Sequence, residues 1–312
     1  MSSPGEQQPW LSVVIPIHRA RHWLDEALDS ITSDPERPIA VIALDSTPEG
    51  PCESILERHR DRLAIHYEYQ PDVPSWTKKT NMGVAIASSM HVCTLHQDDL
   101  WSPSRLETAS RMIERHPDAA LYLTAARIID ERGAKLGHWR PPFPFGVVRG
   151  ADYRELLLVQ NSIAMPSPIW KRDAYLDVGG MDETLWYTPD WDLWLKLGAA
   201  GPVVFDPEPS AAFRIHANSL TMTGDRNEMA HELETILSRH DSEDSRFRKL
   251  SRASVRVNTA LADAAGGGVR AALSAVADIV RLGPVDAVRY LRYSRLIERV
   301  LPRMRLRLRG AL

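Results

Sequence analysis

His91-Val92-Cys93-Thr94-Leu95-His96-Gln97-Asp98-Asp99-Leu100-Trp101-Ser102-Pro103 is the stretch on which the fold turns. Its first five residues, apolar at Val92, Cys93 and Leu95, read as a strand. Four polar residues follow, ending in two adjacent aspartates. Ser102 then offers an N-cap and Pro103 suits the first helical turn, so a helix is expected over 103–116. One strand therefore delivers a polar cluster at its carboxyl end and passes directly into a helix.

The same unit recurs upstream. Leu11–Ile17 is an apolar run closed by Pro16, followed by helical periodicity over Arg19–Thr32. Ile39–Leu44 is a second run and ends at Asp45; Gly50–Arg60 suits a helix, and Leu63–Tyr69 a third strand. Thr77–Met90 is the helix that leads into the quoted stretch. Strands alternating with helices predict an α/β fold with a mostly parallel sheet covered on both faces. Ligands of such sheets bind beyond the carboxyl ends of the strands, so Asp45 and His96–Asp99 are expected to share one crevice. Downstream, residues 134–150 are rich in Pro and Gly and read as a loop or irregular hairpin. Short apolar pieces follow at Ser162–Trp170, Val203–Phe205 and Ala211–Ile215, interleaved with helices near Lys171–Val178 and Pro189–Ala199. From about Asn227 the chain reads as helical, broken at Gly266–Gly268 and restarted at Pro284.

Asp98 and Asp99 repel each other unless something neutralises them. A hard divalent cation does so and also binds diphosphate oxygens; an acidic pair equally suits a turn, and spacing alone leaves both readings open. Asp190 lies at the mouth of the helix opened by Thr188 and Pro189. Acids in a first turn complement the helix dipole, while a carboxylate held in place and partly desolvated serves as a general base. Trp191, Trp194 and Leu195 make an apolar stripe, which reads Trp191 as core. His216, after Ala211–Ile215, suits a metal ligand, a phosphate partner or a solvated loop position.

Together these blocks resemble the family-2 glycosyltransferases of the GT-A fold. Ser12-Val13-Val14-Ile15-Pro16-Ile17-His18-Arg19 looks like that family's first strand and loop, and Leu95–Pro103 like its acidic metal motif. Gly179-Gly180-Met181-Asp182-Glu183 with Pro189-Asp190-Trp191-Asp192-Leu193-Trp194 looks like its catalytic segment, and Phe213-Arg214-Ile215-His216 with Ser219 like its closing segment. The likeness covers roughly residues 10–222. It implies an inverting, metal-assisted transfer of a sugar from a nucleotide-diphosphate donor. Asp190 matches the general base. Asp98, with Asp99 beside it and His216, matches the residues that hold Mn²⁺ or Mg²⁺. The nucleotide sugar falls to Pro16, His18, Asp45, Lys78, Lys79, Asn81, His96 and Gln97, together with Asp98. Trp186, Tyr187 and Trp191 are the acceptor-side candidates, with Trp186 favoured for the acceptor.

Three positions depart from the family pattern. His96 stands where an aspartate begins the metal motif. An imidazole still binds Mn²⁺ but brings no negative charge, so weaker metal affinity or a different donor grip is expected. Pro189 replaces the glutamate before the catalytic aspartate. His18 replaces the aromatic residue that stacks on the base, which leaves UDP, TDP and GDP donors open. The implied organisation is a disordered stretch 1–9 and a GT-A catalytic domain 10–226. That domain splits into a nucleotide-sugar half, 10–125, and an acceptor half, 126–226. A helical, basic region, 227–312, follows. A nucleotidyltransferase would carry a Gly-rich phosphate loop after the first strand, and Pro16–Arg21 has no glycine. A non-catalytic nucleotide-sugar-binding scaffold is kept open by the lost acid at His96.

The chain has 312 residues, 44% of them hydrophobic, enough for a large core, and a net charge of −3 that gives no reason to expect a nucleic-acid partner. Its charge is uneven. Residues 241–312 carry 15 Lys+Arg against 7 Asp+Glu, a balance of +8, and the rest carries 23 against 34, a balance of −11. Two cysteines, Cys52 and Cys93, fit a reducing, cytoplasmic setting. The start of the chain has no apolar signal core and no stretch approaches the roughly 20 apolar residues of a membrane span. The arginine-rich residues 286–312 contain Val288, Leu291, Leu296, Val300, Leu301, Met304 and Leu308. They suit either an amphipathic helix on an anionic membrane, hence peripheral attachment, or a helix packed on its own domain. The acceptor is not legible.

Overall fold

A computed structural model describes residues 8–19, 22–34, 36–217, 219, 224–265 and 268–310. The expected disorder of 1–9 falls for its first seven residues outside this set, as do Gly266 and Gly267 of the expected helix break.

Strands β1 (Leu11–Ile17), β2 (Ile39–Asp45), β3 (Ala64–Tyr69) and β4 (His91–Thr94) lie parallel in the order β3-β2-β1-β4. β1 is buried along its whole length. Its alternate residues serve two cores: Val14 packs with Val84 and Leu44 on one face, and Val13 and Ile15 pack with Leu24, Leu28 and Leu56 on the other. A strand covered on both sides must be apolar throughout, which is why Leu11–Ile17 reads as an unbroken run. Helices α1 (Leu24–Ser30) and α2 (Glu53–Glu57) cover the second face and α3 (Trp76–Ile86) the first.

Beyond β4 the chain adds β5 (Leu100–Trp101), α4 (Arg105–Arg115), β6 (Leu121–Ile129), β7 (Lys135–Trp139) and β8 (Gly146–Val148). Then come α5 (Gly150–Val159), β9 (Ile169–Lys171), α6 (Arg172–Asp177), α7 (Pro189–Ala200) and β10 (Val203–Arg214). The sheet continues β4-β9-β6-β10-β5, with β7 on β6 and β8 on β10. β9 runs antiparallel to both β4 and β6, whereas β6 and β10 are parallel. Val203–Phe205 and Ala211–Ile215 therefore belong to one long strand with register shifts near Pro209. Leu121–Ile129, unassigned by sequence, joins the two halves of the sheet. Ser102 does not cap α4. Its N–H and Oγ bond the carbonyls of Ser210 and Pro209 across to β10, and the helix starts at Arg105.

Five helices close the chain: α8 (Arg226–His240), α9 (Arg248–Ala265), α10 (Val269–Arg281), α11 (Pro284–Ser294) and α12 (Leu296–Leu308). Leu233, Ile236, Phe247, Leu250, Tyr290 and Leu296 share one apolar core with Leu157, Trp191 and Trp194. The helical region is thus continuous with the core beneath α7. The expected arginine-rich helix is divided at Arg295, whose φ of +50° is unfavourable for a side chain-bearing residue. Its apolar residues divide too: Leu296 is buried, while Val288, Leu301, Met304 and Leu308 face outward.

Candidate active site

The carboxyl end of β4 turns sharply, with the Asp99 N–H on the His96 carbonyl at 3.0 Å. That turn brings ligating atoms of His96, Asp98 and Asp99 within 4.8 Å of one another. His216, just past β10, comes to the same place, its Nε2 2.9 Å from Asp98 Oδ2. Four of the sequence-predicted residues therefore converge. Burial works against the charge of Asp98, yet the His216 hydrogen bond and nearby His96 hold its carboxyl below the usual range. Burial and the charge of Asp98 push Asp99 well up. Burial also lowers the His96 imidazole, favouring the neutral form that has a lone pair to give.

His96 Nε2 and His216 Nδ1 are buried without a hydrogen-bond partner among the described residues. Buried polar atoms are ordinarily satisfied. The orphaned His96 nitrogen beside two carboxylates makes a donor set that fits a divalent cation, whereas the free Nδ1 of His216 points away from Asp98, which its Nε2 meets.

Arg214, the last residue of β10, clamps this turn. Its N–H donates to Asp99 Oδ1 at 2.9 Å and its Nε to the Asp98 carbonyl at 2.7 Å. Its remaining nitrogens reach the carbonyls of Asp130 and Glu131 and Glu26 Oε2. The guanidinium also lies 5.5 Å over the ring of Trp23, which packs on His216. The Phe213–His216 block placed Arg214 in sequence, but a role as clamp has no sequence signal, because its partners lie 83–188 residues away.

The β1 and β2 loops are built beside the turn. Gln97 holds the His18 backbone from both ends, accepting its N–H at 2.7 Å and donating to its carbonyl at 2.8 Å. His18 Nδ1 lies 3.1 Å from both Ser46 O and Oγ, and burial lowers its pKa. Pro16 is buried in β1. Asp45 is wholly buried: Oδ1 accepts from Thr47 N–H and Oγ1, Oδ2 from Cys52 N–H and Tyr67 Oη. A carboxylate has about four acceptor positions, so Asp45 has none left for a ribose. It shapes the loop after β2.

Helix α3 spans the two halves of the site. Trp76 meets the edge of His96 at 5.1 Å. Lys78 is exposed. Lys79 is fully buried, its Nζ on Ile17 O at 2.5 Å and Ser46 Oγ at 2.7 Å, and burial brings its pKa down to about 8. Asn81 donates to Met181 O and Glu183 Oε1 and accepts from Tyr175 Oη and Met181 N–H. Lys79 and Asn81 thus bind protein where ligand contacts were expected, because buried donors and acceptors must be satisfied locally. Gly180 (φ +65°) turns against Asn81 and Tyr175, where a Cβ would lie 2.8 Å from Asn81 Oδ1 and 2.9 Å from Tyr175 Cε1.

Asp190 is half-buried at the start of α7. Oδ2 accepts from Asn161 Nδ2 at 3.0 Å and Oδ1 from Trp191 N–H at 2.8 Å. Burial, only partly offset by these bonds, pushes its pKa up to about 6. The loop before it is fixed by Glu232 of α8, which accepts from the N–H groups of Trp186, Tyr187 and Thr188 at 2.9–3.0 Å and from Thr188 Oγ1. Asp192, two residues further, meets His240 at 2.8 Å and Lys196 at 3.0 Å, and its pKa falls to about 2 against the pull of burial. Trp191 is core, its indole on Leu157 O. Trp186 is half-buried beside Tyr187, with an unpartnered indole N–H among the described residues. Asn161 and Glu232 were not legible as site residues, since each meets the segment from 29–46 residues away.

Known proteins are similar to this chain in sequence and in fold. An uncharacterised glycosyltransferase of Rickettsia typhi is 24% identical over 222 residues, 69% of this chain and 67% of its own length. An uncharacterised protein of Mycobacterium tuberculosis is 24% identical over 67% of this chain and 60% of its own. Among solved structures, S. aureus TarS 1–349 in complex with UDP-GlcNAc superposes with a TM-score of 0.63 at 15% identity, over 94% of this chain and 88% of that one. The mannosyltransferase PcManGT from Pyrobaculum calidifontis in complex with GDP-Man and Mn²⁺ gives 0.58 at 16%, over 91% and 79%. Against the longer TarS chain the match spans 54% of that protein's length. These likenesses show the GT-A fold. The profile described as glycosyl transferase family 2 matches residues 12–168, half of the sequence, and the chain belongs to that family.

Proposed function

We propose that this transferase moves a sugar from a nucleotide-diphosphate donor to an acceptor nucleophile, with inversion at the anomeric carbon. The observation that carries this reading is the meeting of His96, Asp98 and Asp99 within 4.8 Å, with His216 against Asp98. Asp98 and Asp99, with the free nitrogen of His96, would hold Mn²⁺ or Mg²⁺, and His216 would steady Asp98 beside them. A divalent cation so bound stabilises a departing nucleoside diphosphate. The complexes of TarS with UDP-GlcNAc and of PcManGT with GDP-Man and Mn²⁺ support a donor of this class here.

The chain's own groups divide the remaining work. Gln97, Lys79 and Asp45 hold the β1 and β2 loops in place, and His18 offers its ring to the base. Lys78, exposed at the start of α3, would meet phosphate oxygens of the donor. Asp190 takes the acceptor proton on its carboxylate. Asn161 and the Trp191 N–H fix that carboxylate, and burial brings its pKa to about 6, near the working range a base requires. Trp186 lines the acceptor side. In this reading residues 10–125 serve the donor, 126–226 the acceptor, and 227–312 support the second half through Glu232.

The test is release of nucleoside diphosphate from UDP-, TDP- and GDP-sugars, measured with Mn²⁺ and with EDTA. Metal-dependent turnover with one donor, lost in Asp190→Asn while that nucleotide still binds, is the expected result. Equal turnover by Asp190→Asn would overturn the base assignment, and turnover unaffected by EDTA the metal assignment.

A further inference from the structure

The last three helices turn apolar side chains into solvent. Of the sixteen exposed large apolar residues among the described residues, ten lie between 269 and 308. Two helices carry them as regular stripes. On α10 they are Val269, Leu273, Val276 and Val280, 57–73% exposed; on α12 they are Ile297, Leu301, Met304 and Leu308, 41–87% exposed. Both sets follow i, i+4, i+7, i+11, one face of an α-helix. Val285 and Val288 extend the pattern on α11. The opposite faces are used for packing: Ala275, Tyr290, Leu296 and Leu306 are buried. The helices are therefore held on the body of the protein with a second apolar side left uncovered. Solvent-facing helix surfaces are ordinarily polar, and concentrated exposed apolar area marks an interaction site.

The charges beside the stripes name the partner. Arg270, Arg281, Arg289, Arg292, Arg305, Arg307 and Arg309 are exposed on the same helices, and Arg270 and Arg292 have no acidic partner among the described residues. Residues 241–312 carry a balance of +8 against −11 for the remainder. An apolar stripe flanked by arginines is the pattern of a helix lying in the interface of an anionic bilayer, apolar side among the acyl chains and guanidiniums at the headgroups. The acidic body is repelled by the same surface, so the charge asymmetry would also orient the protein. Among the described residues no helix is long and apolar enough to cross a membrane, so contact through these helices would be peripheral.

We propose that α10, α11 and α12 dock the protein onto an anionic lipid bilayer through Leu273, Val276, Leu301 and Met304 and the flanking arginines. This goes beyond the transfer reaction and does not depend on its assignment. The test is co-sedimentation of the full chain with vesicles of phosphatidylcholine alone and of phosphatidylcholine with phosphatidylglycerol. The wild type is expected to pellet with the anionic vesicles, to stay in solution with the neutral ones, and to be released by salt. The quadruple variant Leu273→Glu, Val276→Glu, Leu301→Glu, Met304→Glu should bind anionic vesicles at least tenfold less, with its melting temperature within a few degrees of wild type. A wild type that pellets with neither vesicle, or with both equally at any salt, would overturn the proposal without recourse to the variant. So would undiminished binding by the folded variant. A stable lipid-free oligomer by light scattering, dissociated by these substitutions in a protein that ignores vesicles, would place a second copy on this face instead.

Discussion

Asp190 gathers the most specific chemistry into one side chain. Its carboxyl is raised to about 6 by burial, so below that pH it holds a proton and cannot accept another. Turnover should fall about tenfold per pH unit below pH 6, which a pH–rate profile with saturating donor reads directly. The same shift has a consequence for stability. Between the unfolded value near 3.8 and about 6, the folded chain keeps a proton that the unfolded chain has released. Folding therefore loses stability as pH rises through this window, and the loss is complete above it. Removing the charge should recover part of it. Asp190→Asn is expected to melt no lower than wild type at pH 8, with an upper bound on the gain of about 3 kcal/mol, while turnover drops by roughly 10²–10⁴. A lower melting temperature would show that the carboxylate is stabilising. Asp98, Asp99, Asp190 and His216 were singled out in the sequence through the resemblance of their blocks to the family's, since spacing alone left each of them open. The tasks of Asp45, Lys79 and Asn81 were not legible. Polar residues at strand ends look alike in sequence whether they face a ligand or close a buried network, and only the count of their partners separates the two.

At the scale of elements, the site is fixed by contacts between segments far apart in the chain. Glu232 on α8 supplies both carboxylate oxygens to three successive N–H groups before α7. Gln at this position keeps the shape but offers one acceptor oxygen and brings two donors toward N–H groups. Glu232→Gln should cost about 1–3 kcal/mol of stability and lower turnover with little change in donor affinity, since it disturbs the Trp186–Asp190 segment. Chemical denaturation and a kcat-against-KM comparison check both. Unchanged kcat would separate α8 from the reaction. β1 and β2 were readable because buried parallel strands are apolar along their length, whereas β3, at the sheet edge, mixes Ile65, Tyr67 and Tyr69 with polar His66 and Glu68. β6 escaped although Leu121–Ile129 is mostly apolar, and Ser102 looked like a cap because its real partners, Pro209 and Ser210, are more than a hundred residues on.

For the whole molecule, the resemblance implied a catalytic domain followed by a helical, basic region. The helices are there, but Leu233, Ile236, Phe247 and Leu250 share a core with Trp191 and Trp194. The chain shortened to residues 1–226 would expose that core and leave the N–H groups of Trp186–Thr188 without Glu232. It is expected to unfold without a cooperative transition, or to melt more than about 10 °C below the full chain; calorimetry decides, and an unchanged melting temperature would show 227–312 to be an appendage. In the same region α10 and α12 each carry an exposed apolar stripe as well as buried residues such as Ala275 and Leu306, so these helices serve stability with some side chains and leave others uncovered.

The central claim is that the turn after β4, with His216, holds a divalent cation for a nucleoside diphosphate. Isothermal titration of UDP, TDP and GDP into the wild type and Asp98→Ala, each with Mn²⁺ and with EDTA, tests it most directly. The account predicts that one nucleotide binds the wild type with Mn²⁺, at least tenfold more weakly in EDTA, and that Asp98→Ala abolishes the difference. Binding of equal strength with and without metal, or in Asp98→Ala, would contradict it.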